Sequence, residues 1–132
     1  MKPLNRVRRG CDAGEVTLRT ELETLRVALT SERARVVRQI ESLERRFDDI
    51  VSAAELTSTD DEHDPEGATI AYERAQVGAL LQQARRDLAA VDDVMPMVDD
   101  DELPVCLECG GSIRIERLLA LPGVRTCIRC AR

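Results

Sequence analysis

Apolar residues recur in the first half of the chain at alternating intervals of three and four positions. Between Glu15 and Pro65 no glycine or proline breaks this pattern, and its one irregularity is an interval of seven near Glu32. Such spacing places the apolar side chains on one face of an amphipathic helix. The pattern therefore predicts one long helix. Its apolar stripe consists of Leu18, Leu22, Leu25, Leu29, Val36, Ile40, Leu43, Phe47, Ile50 and Ala54.

A second stripe with the same rhythm follows a short polar segment. Asp64 and Pro65 suit the N-cap and the first position of a new helix. A connection of about ten residues leaves the two helices as antiparallel neighbours. The predicted fold class is all-α, a long antiparallel helical hairpin (coiled coil) over residues 13–95. A symmetric dimer, in which each stripe meets another chain, is the alternative. The second stripe consists of Ile70, Val77, Leu81, Ala84, Leu88, Val91 and Met95.

The connection between the two helices, residues 57–66, is strongly acidic. A carboxylate cluster at the end of a hairpin can attract basic side chains or disturb metal-bound chemistry in a partner. Acids that only cap a helix and keep a turn soluble would have the same composition. His63, in the same turn, is predicted to be an ordinary exposed histidine. The candidate partner-binding residues of this tip are Asp60, Asp61, Glu62, Asp64 and Glu66.

The segments outside the hairpin differ from it in composition. Residues 1–12 are predicted to be a flexible basic arm, and residues 96–104 an acidic linker. Residues 105–132 are too few to build a core unaided, because domains below about 40 residues usually need a metal or disulfides. The last segment is therefore predicted to be a small C-terminal module that such a group holds together.

Four cysteines give this module a candidate metal site. They form two C-x-x-C pairs with seventeen residues between the pairs, which is the spacing of four-thiolate zinc sites. Four protein ligands leave no open position for water, so the pattern predicts one structural Zn²⁺ and not a catalytic one. A redox C-x-x-C or a pair of disulfides is the alternative. The predicted ligands are Cys106, Cys109, Cys127 and Cys130.

Composition and charge narrow the function. Of the 132 residues 33% are charged and 2% aromatic, and the formal net charge is −6. These values argue against a base-stacking surface and against strong direct nucleic-acid binding. No segment reaches the roughly 18 apolar residues of a membrane span and no export signal is evident, so a cytoplasmic protein with reduced thiols is expected. The sequence shows no nucleophile paired with a base and no phosphate-binding loop. An enzyme is therefore not expected.

The C-terminal module resembles a known family of zinc fingers. Together with the helical hairpin and the acidic turn it is similar to the DksA/TraR C4-type zinc finger family over roughly residues 15–130. The resemblance implies a bacterial regulator that binds RNA polymerase, inserts its coiled coil into the secondary channel and places tip carboxylates near the active centre. The residues that carry the resemblance are Cys106, Cys109, Gly110, Ile113, Arg117, Leu118, Ala120, Pro122, Cys127, Ile128 and Cys130.

The same resemblance sets expectations for the tip, the effectors and the partners. Asp61 and Asp64 keep the interval of three found in the family's tip, whereas Glu66 stands where the family often has alanine. Some members act with guanosine tetraphosphate, but no feature of this sequence supports that nucleotide. The expected partner is RNA polymerase, and a monomer is expected rather than a homodimer. The alternatives are a zinc-finger DNA-binding protein and a structural coiled-coil dimer without a polymerase role.

Overall fold

The computed structural model describes residues 12–56 and 65–131 of the chain. Outside the helices, the described residues contain one isolated antiparallel β-bridge, between Val105 and Ser112. None of its helices is long and apolar enough to cross a membrane. The helices, in chain order, are α1 (Asp12–Leu56), α2 (Pro65–Asp99) and α3 (Ile115–Ala120).

The chain divides into two compact units by the density of its internal contacts. One unit is Thr30–Asp93, and the other combines Met1–Leu29 with Val94–Arg132. The sequence predicts a separate C-terminal module from residue 105 onward. In the structure these residues instead share a unit with one end of α1 and one end of α2.

In the unit Thr30–Asp93 the two long helices pack side by side in opposite directions. Arg33 of α1 donates to Asp92 of α2 at 2.7 Å, and further along α1 the Glu44 carboxylate accepts from Arg85 at 2.8 Å. The partner's number falls as the α1 number rises, as it must in an antiparallel pair. Burying each valine, leucine or isoleucine side chain between the helices contributes about 1.5–3 kcal/mol before entropy is subtracted. The buried residues are Val36, Ile50, Val77, Leu81, Ala84 and Val91.

The second unit has a core built from helix ends and from the C-terminal segment. Its buried aliphatic positions include Leu22, Leu25 and Leu29 of the first predicted stripe, and its buried thiols belong to the predicted metal site. With the hairpin and the four-cysteine segment both present, the all-α fold class is confirmed. The buried residues of this unit are Leu22, Leu25, Leu29, Val94, Val98, Pro104, Cys106, Ile113, Leu118 and Cys127.

Helix α2 ends later than the sequence predicts. Residues 96–99 are helical, with Pro96 inside the helix, and so they do not belong to the predicted linker at residues 96–104. Proline removes one backbone donor and usually ends a helix, but Val94 and Val98 on either side of it are fully buried. Their packing favours another turn of helix, and the linker is correspondingly shorter.

A hydrogen-bonded turn fixes the end of α2. The Asp101 N–H donates to the Val98 carbonyl at 3.1 Å, and the Glu102 N–H donates to the Met97 carbonyl at 2.8 Å. These two bonds form a Schellman motif, which satisfies carbonyls that a helix end leaves without partners. Asp101 takes the left-handed conformation of this motif, with φ of 63°, where glycine is more usual.

Candidate metal centre

The structure brings the four predicted cysteines together. One sulfur from each of Cys106, Cys109, Cys127 and Cys130 lies within 4.8 Å of the other three, and the Cys109 and Cys127 sulfurs are 3.8 Å apart. Tetrahedral zinc with Zn–S bonds of about 2.3 Å places its sulfurs about 3.8 Å from one another. All four residues are free thiols, which removes the disulfide alternative. The donor set therefore fits one zinc ion.

The first C-x-x-C pair lies on a tight backbone turn. The Gly110 N–H donates to the Cys106 carbonyl at 2.8 Å, and the Cys106 N–H donates to the Gly111 carbonyl at 2.9 Å. Gly110 has φ of 69°, a backbone conformation that side chains with a Cβ rarely adopt. The turn carries Cys109 back toward Cys106, so that both sulfurs face the same point.

The second C-x-x-C pair also lies on a turn whose N–H groups donate to the carbonyl of its leading cysteine. The N–H groups of Cys130 and Ala131 both donate to the Cys127 carbonyl, at 3.1 and 2.9 Å. Such bonds fold the backbone around the sulfur positions. The sequence spacing predicts both turns, because two residues between cysteines allow both sulfurs to reach one ion.

Two hydrogen bonds join the parts of the module. The Leu107 N–H of the first turn donates to the Arg125 carbonyl at 2.9 Å. Arg117 on α3 donates from Nε to the Thr126 carbonyl at 2.8 Å. These bonds connect the first turn and α3 to residues 125 and 126, which lead into the second turn.

The thiols differ in their electrostatic surroundings. Hydrogen bonds from the backbone of Cys127 and of Cys109 lower the pKa of the Cys106 thiol to about 6. Backbone hydrogen bonds, chiefly from Cys130, also lower the pKa of the Cys127 thiol. The pKa of Cys130 is raised to about 12, because its side chain shares hydrogen bonds with those of Cys127 and Cys109. A metal ion that binds all four sulfurs must therefore displace the proton of Cys130.

The surroundings of the four sulfurs suit a structural ion. Cys106 and Cys127 are buried, Cys130 is half-buried and Cys109 is exposed. With four thiolate ligands the ion has no position left for water or substrate. Inside the segment 105–131 the buried aliphatic side chains are Ile113 and Leu118. The metal site therefore replaces a large part of the core that such a short segment lacks.

The structure describes only part of the predicted tip. Asp60, Asp61, Glu62 and Asp64 lie outside the described residues, as do His63 and Cys11. Glu66 is the second residue of α2. The role of these carboxylates as a partner-binding tip therefore stays a prediction.

The contacts of Arg26 with the end of α2 were not predicted from the sequence. Its guanidinium donates to the Val98 carbonyl and to the Asp101 carboxylate, each at 2.6 Å, and lies 3.8 Å from the Asp99 carboxylate. The arginine thus connects α1 to the turn that leads into the metal module. Its partners are more than 70 positions away in the chain, so no local pattern could have indicated them.

A helical hairpin followed by a four-cysteine metal site places this protein among helical zinc-finger proteins. A family model described as the prokaryotic dksA/traR C4-type zinc finger matches residues 102–132. The match covers the predicted zinc finger, and the positions of its four cysteines fit one structural Zn²⁺.

The fold extends the likeness beyond the finger. The chain superposes on the structure of transcription factor DksA2 from Pseudomonas aeruginosa with a TM-score of 0.66 and 20% sequence identity. The superposition covers 83% of this chain and 79% of the DksA2 chain. A search of curated protein sequences finds no significant match.

Proposed function

We propose that this protein is a non-enzymatic transcription regulator that acts by binding RNA polymerase. The observation that carries the proposal is the combination of two features in one chain. Residues 102–132 match the dksA/traR C4-type zinc finger, and 83% of the chain superposes on the transcription factor DksA2. Neither feature alone would separate a regulator from other helical zinc proteins.

In the proposed mechanism the hairpin enters the secondary channel of the polymerase. A pair of helices is slender enough to enter a channel that excludes a globular domain of the same mass. The turn between the helices would then bring the carboxylates of Asp60, Asp61, Glu62, Asp64 and Glu66 close to the catalytic centre. Carboxylates there compete for basic side chains or perturb metal-bound chemistry, which changes the stability of initiation complexes.

The zinc finger has a supporting role in this mechanism. Cys106, Cys109, Cys127 and Cys130 are the proposed ligands, and the sulfur positions given above support this assignment. Because one closed ion folds the segment, the metal stabilises the protein and takes no part in a reaction. The proposed setting is the bacterial cytoplasm, where reduced thiols remain available for zinc.

The charges of the finger favour a protein partner over DNA. Among its described arginines, Arg117 is engaged with the Thr126 carbonyl, and Arg114 lies 3.6 Å from the Glu116 carboxylate. A zinc ion with four thiolates also adds a net charge of about −2. DNA binding depends on neutralising several phosphates, and this segment offers little surplus charge for it.

Binding to purified RNA polymerase core enzyme tests the proposal. The full-length, zinc-loaded protein is immobilised and exposed, at about 0.15 M salt, to polymerase or to duplex DNA. Retention of polymerase and not of DNA is the expected result. Salt-sensitive DNA binding without polymerase retention would instead identify a DNA-binding zinc protein.

The oligomeric state provides a second test, because a structural dimer is the remaining alternative. We propose a monomer, whose tip is free to enter a channel. Sedimentation equilibrium should give a mass near 14.7 kDa. A mass twice as large, together with no polymerase binding, would favour the dimer.

A further inference from the structure

Two ion pairs that join α1 to α2 take no part in zinc binding. Arg33 donates from Nε to the Asp92 carboxylate at 2.7 Å, and Arg85 donates to the Glu44 carboxylate at 2.8 Å. We call these two contacts the register pairs. They have opposite directions, because α1 supplies the cation of the first pair and the anion of the second. The four side chains are between 43% and 58% exposed, so neither pair contributes much to stability by itself.

The apolar stripes do not decide alone which residues of the two helices lie side by side. Val36 and Leu43 on α1 are seven positions apart, as are Val77, Ala84 and Val91 on α2. Sliding α2 along α1 by seven residues, or about 10 Å, therefore sets apolar residues against apolar residues again. Apolar packing is compatible with more than one alignment of the helices, and the charges can distinguish among them.

Arg33 stands at the interruption of the first stripe. It lies four positions after Leu29 and three before Val36, where the spacing calls for an apolar residue. A polar residue at such a position lowers the stability of a coiled coil but specifies its alignment. In the observed alignment this arginine has an acceptor on the other helix, the Asp92 carboxylate.

Sliding α2 by seven residues in either direction brings like charges together. If each α1 residue faces the α2 residue seven positions earlier, Arg33 lies opposite Arg85. If it faces the residue seven positions later, Glu44 lies opposite Asp92. Like charges destabilise a helix pair about as much as opposite charges stabilise it. Of these three alignments, only the observed one is free of a like-charge contact among these four residues.

We propose that the register pairs select the alignment of the two helices and so fix how far α2 extends beside α1. The acidic turn at residues 57–66 would then be held at a constant place relative to both helices. That consequence for the turn rests on the proposed function, whereas the selection of the alignment does not require polymerase binding. The proposed positioning residues are Arg33, Glu44, Arg85 and Asp92.

Phe47 can report the alignment, because it is the one phenylalanine of the chain. Its ring lies 3.7 Å from the position that a Cβ on Gly78 would occupy. Nuclear Overhauser effects between the ring protons and the Gly78 α-protons therefore mark the observed alignment. A slide by seven residues would bring Ala71 or Arg85 to the ring instead. Helix register shifts take microseconds to milliseconds, so relaxation dispersion at the Gly78 amide detects a minor alignment.

The experiment exchanges charges in the zinc-loaded, full-length protein. Glu44→Arg with Arg85→Glu keeps both ion pairs of the observed alignment, but it makes both like-charge contacts of the shifted alignments attractive. We expect the shifted population to rise by about tenfold. Dispersion at Gly78 and new Overhauser effects from Phe47 to residues 71 or 85 are the expected signals. A role in stability alone predicts no such change, because both pairs are kept.

Exchange of both register pairs should restore the selection. Adding Arg33→Glu and Asp92→Arg to the first variant again places like charges together in each shifted alignment. Dispersion at Gly78 should therefore return to the wild-type level. The control is Glu15→Arg with Arg19→Glu, because that pair lies within α1 and does not join the helices. It should leave the dispersion unchanged, and each variant must retain one zinc per chain.

Either of two outcomes would overturn the proposal. One is a two-residue variant in which Phe47 contacts Gly78 alone and the dispersion matches that of the wild-type protein. The other is equal dispersion in the two-residue variant and in the four-residue variant, which would show that the new side chains and not the charge pattern cause the motion.

Discussion

Arg26 and Asp101 are joined by a 2.6 Å ion pair between α1 and the turn that ends α2. The same guanidinium donates to the Val98 carbonyl, so one side chain binds both the last turn of α2 and the turn that follows it. Asp101 has φ of 63°, and the ion pair helps to hold this unfavourable backbone conformation. The pair therefore fixes the start of the segment that leads to Cys106.

Replacement of Arg26 should destabilise the protein. We expect Arg26→Met to lower the free energy of unfolding by about 1–2 kcal/mol, because charge-assisted hydrogen bonds are lost while the exposed Asp101 limits the effect. Urea unfolding followed by circular dichroism measures the change. The control is Arg19→Met, because the Arg19 to Glu15 pair is 4.0 Å long and largely exposed. Equal effects of the two substitutions would contradict a specific role for Arg26.

Removal of one thiolate should release the ion and unfold the finger. We expect Cys109→Ser to bind less than one zinc per chain, because three thiolates no longer close the tetrahedral site. Zinc content by atomic absorption and protease resistance of residues 105–131 are the two measurements. Val105→Ser at a nearby exposed position is the control and should leave zinc content unchanged. Full zinc content in the cysteine variant would exclude Cys109 as a ligand.

Zinc binding at pH 7 should release fewer than four protons. The pKa of Cys106 is lowered to about 6, so this thiol is already mostly deprotonated, whereas the pKa of Cys130 is raised to about 12, so that thiol must lose its proton to bind. Affinity should therefore rise with pH above 7, and it should fall more steeply below pH 6, where Cys106 also takes up a proton.

Calorimetric titration in buffers of different ionisation enthalpy measures the number of protons released. A release of four protons at pH 7 would contradict the lowered pKa of Cys106. A zinc affinity independent of pH between 7 and 9 would contradict the raised pKa of Cys130.

Neutralising the tip should separate function from folding. We expect Asp61→Asn combined with Asp64→Asn to keep helicity and zinc content. In the proposed mechanism each carboxylate makes an electrostatic contact, so the double substitution should weaken the effect of the protein on transcription in vitro by about tenfold or more. Glu55→Gln with Glu73→Gln, two acids in the described helices, is the control pair. Unchanged transcription by the aspartate variant, with polymerase binding intact, would show that the tip carboxylates are not the active groups.

Much of the fold could be predicted from the spacing of apolar residues. Periodicity predicted buried positions that the structure confirms, among them Leu25, Val36, Val77 and Val91. Apolar residues at intervals of three and four share one face of a helix, and they are removed from water only when that face packs against a partner. The metal site could also be predicted from the sequence, because two C-x-x-C pairs restrict where four sulfurs can meet.

The end of α2 was not predictable from the same kind of pattern. Pro96 indicates a helix end by its local chemistry, but the burial of Val98 and the bond from Arg26 favour a longer helix. Both effects depend on residues that are distant in sequence.

The small interior of the C-terminal segment links the lifetime of the protein to its metal supply. Ile113 and Leu118 are the aliphatic side chains that this segment buries among its described residues, and the thiols of Cys106 and Cys127 are buried as well. A cell short of zinc would therefore make chains whose finger opens to proteases, without any change in how much of the protein is synthesised. Zinc availability would set how long each molecule persists, which is a form of control that requires no additional binding site.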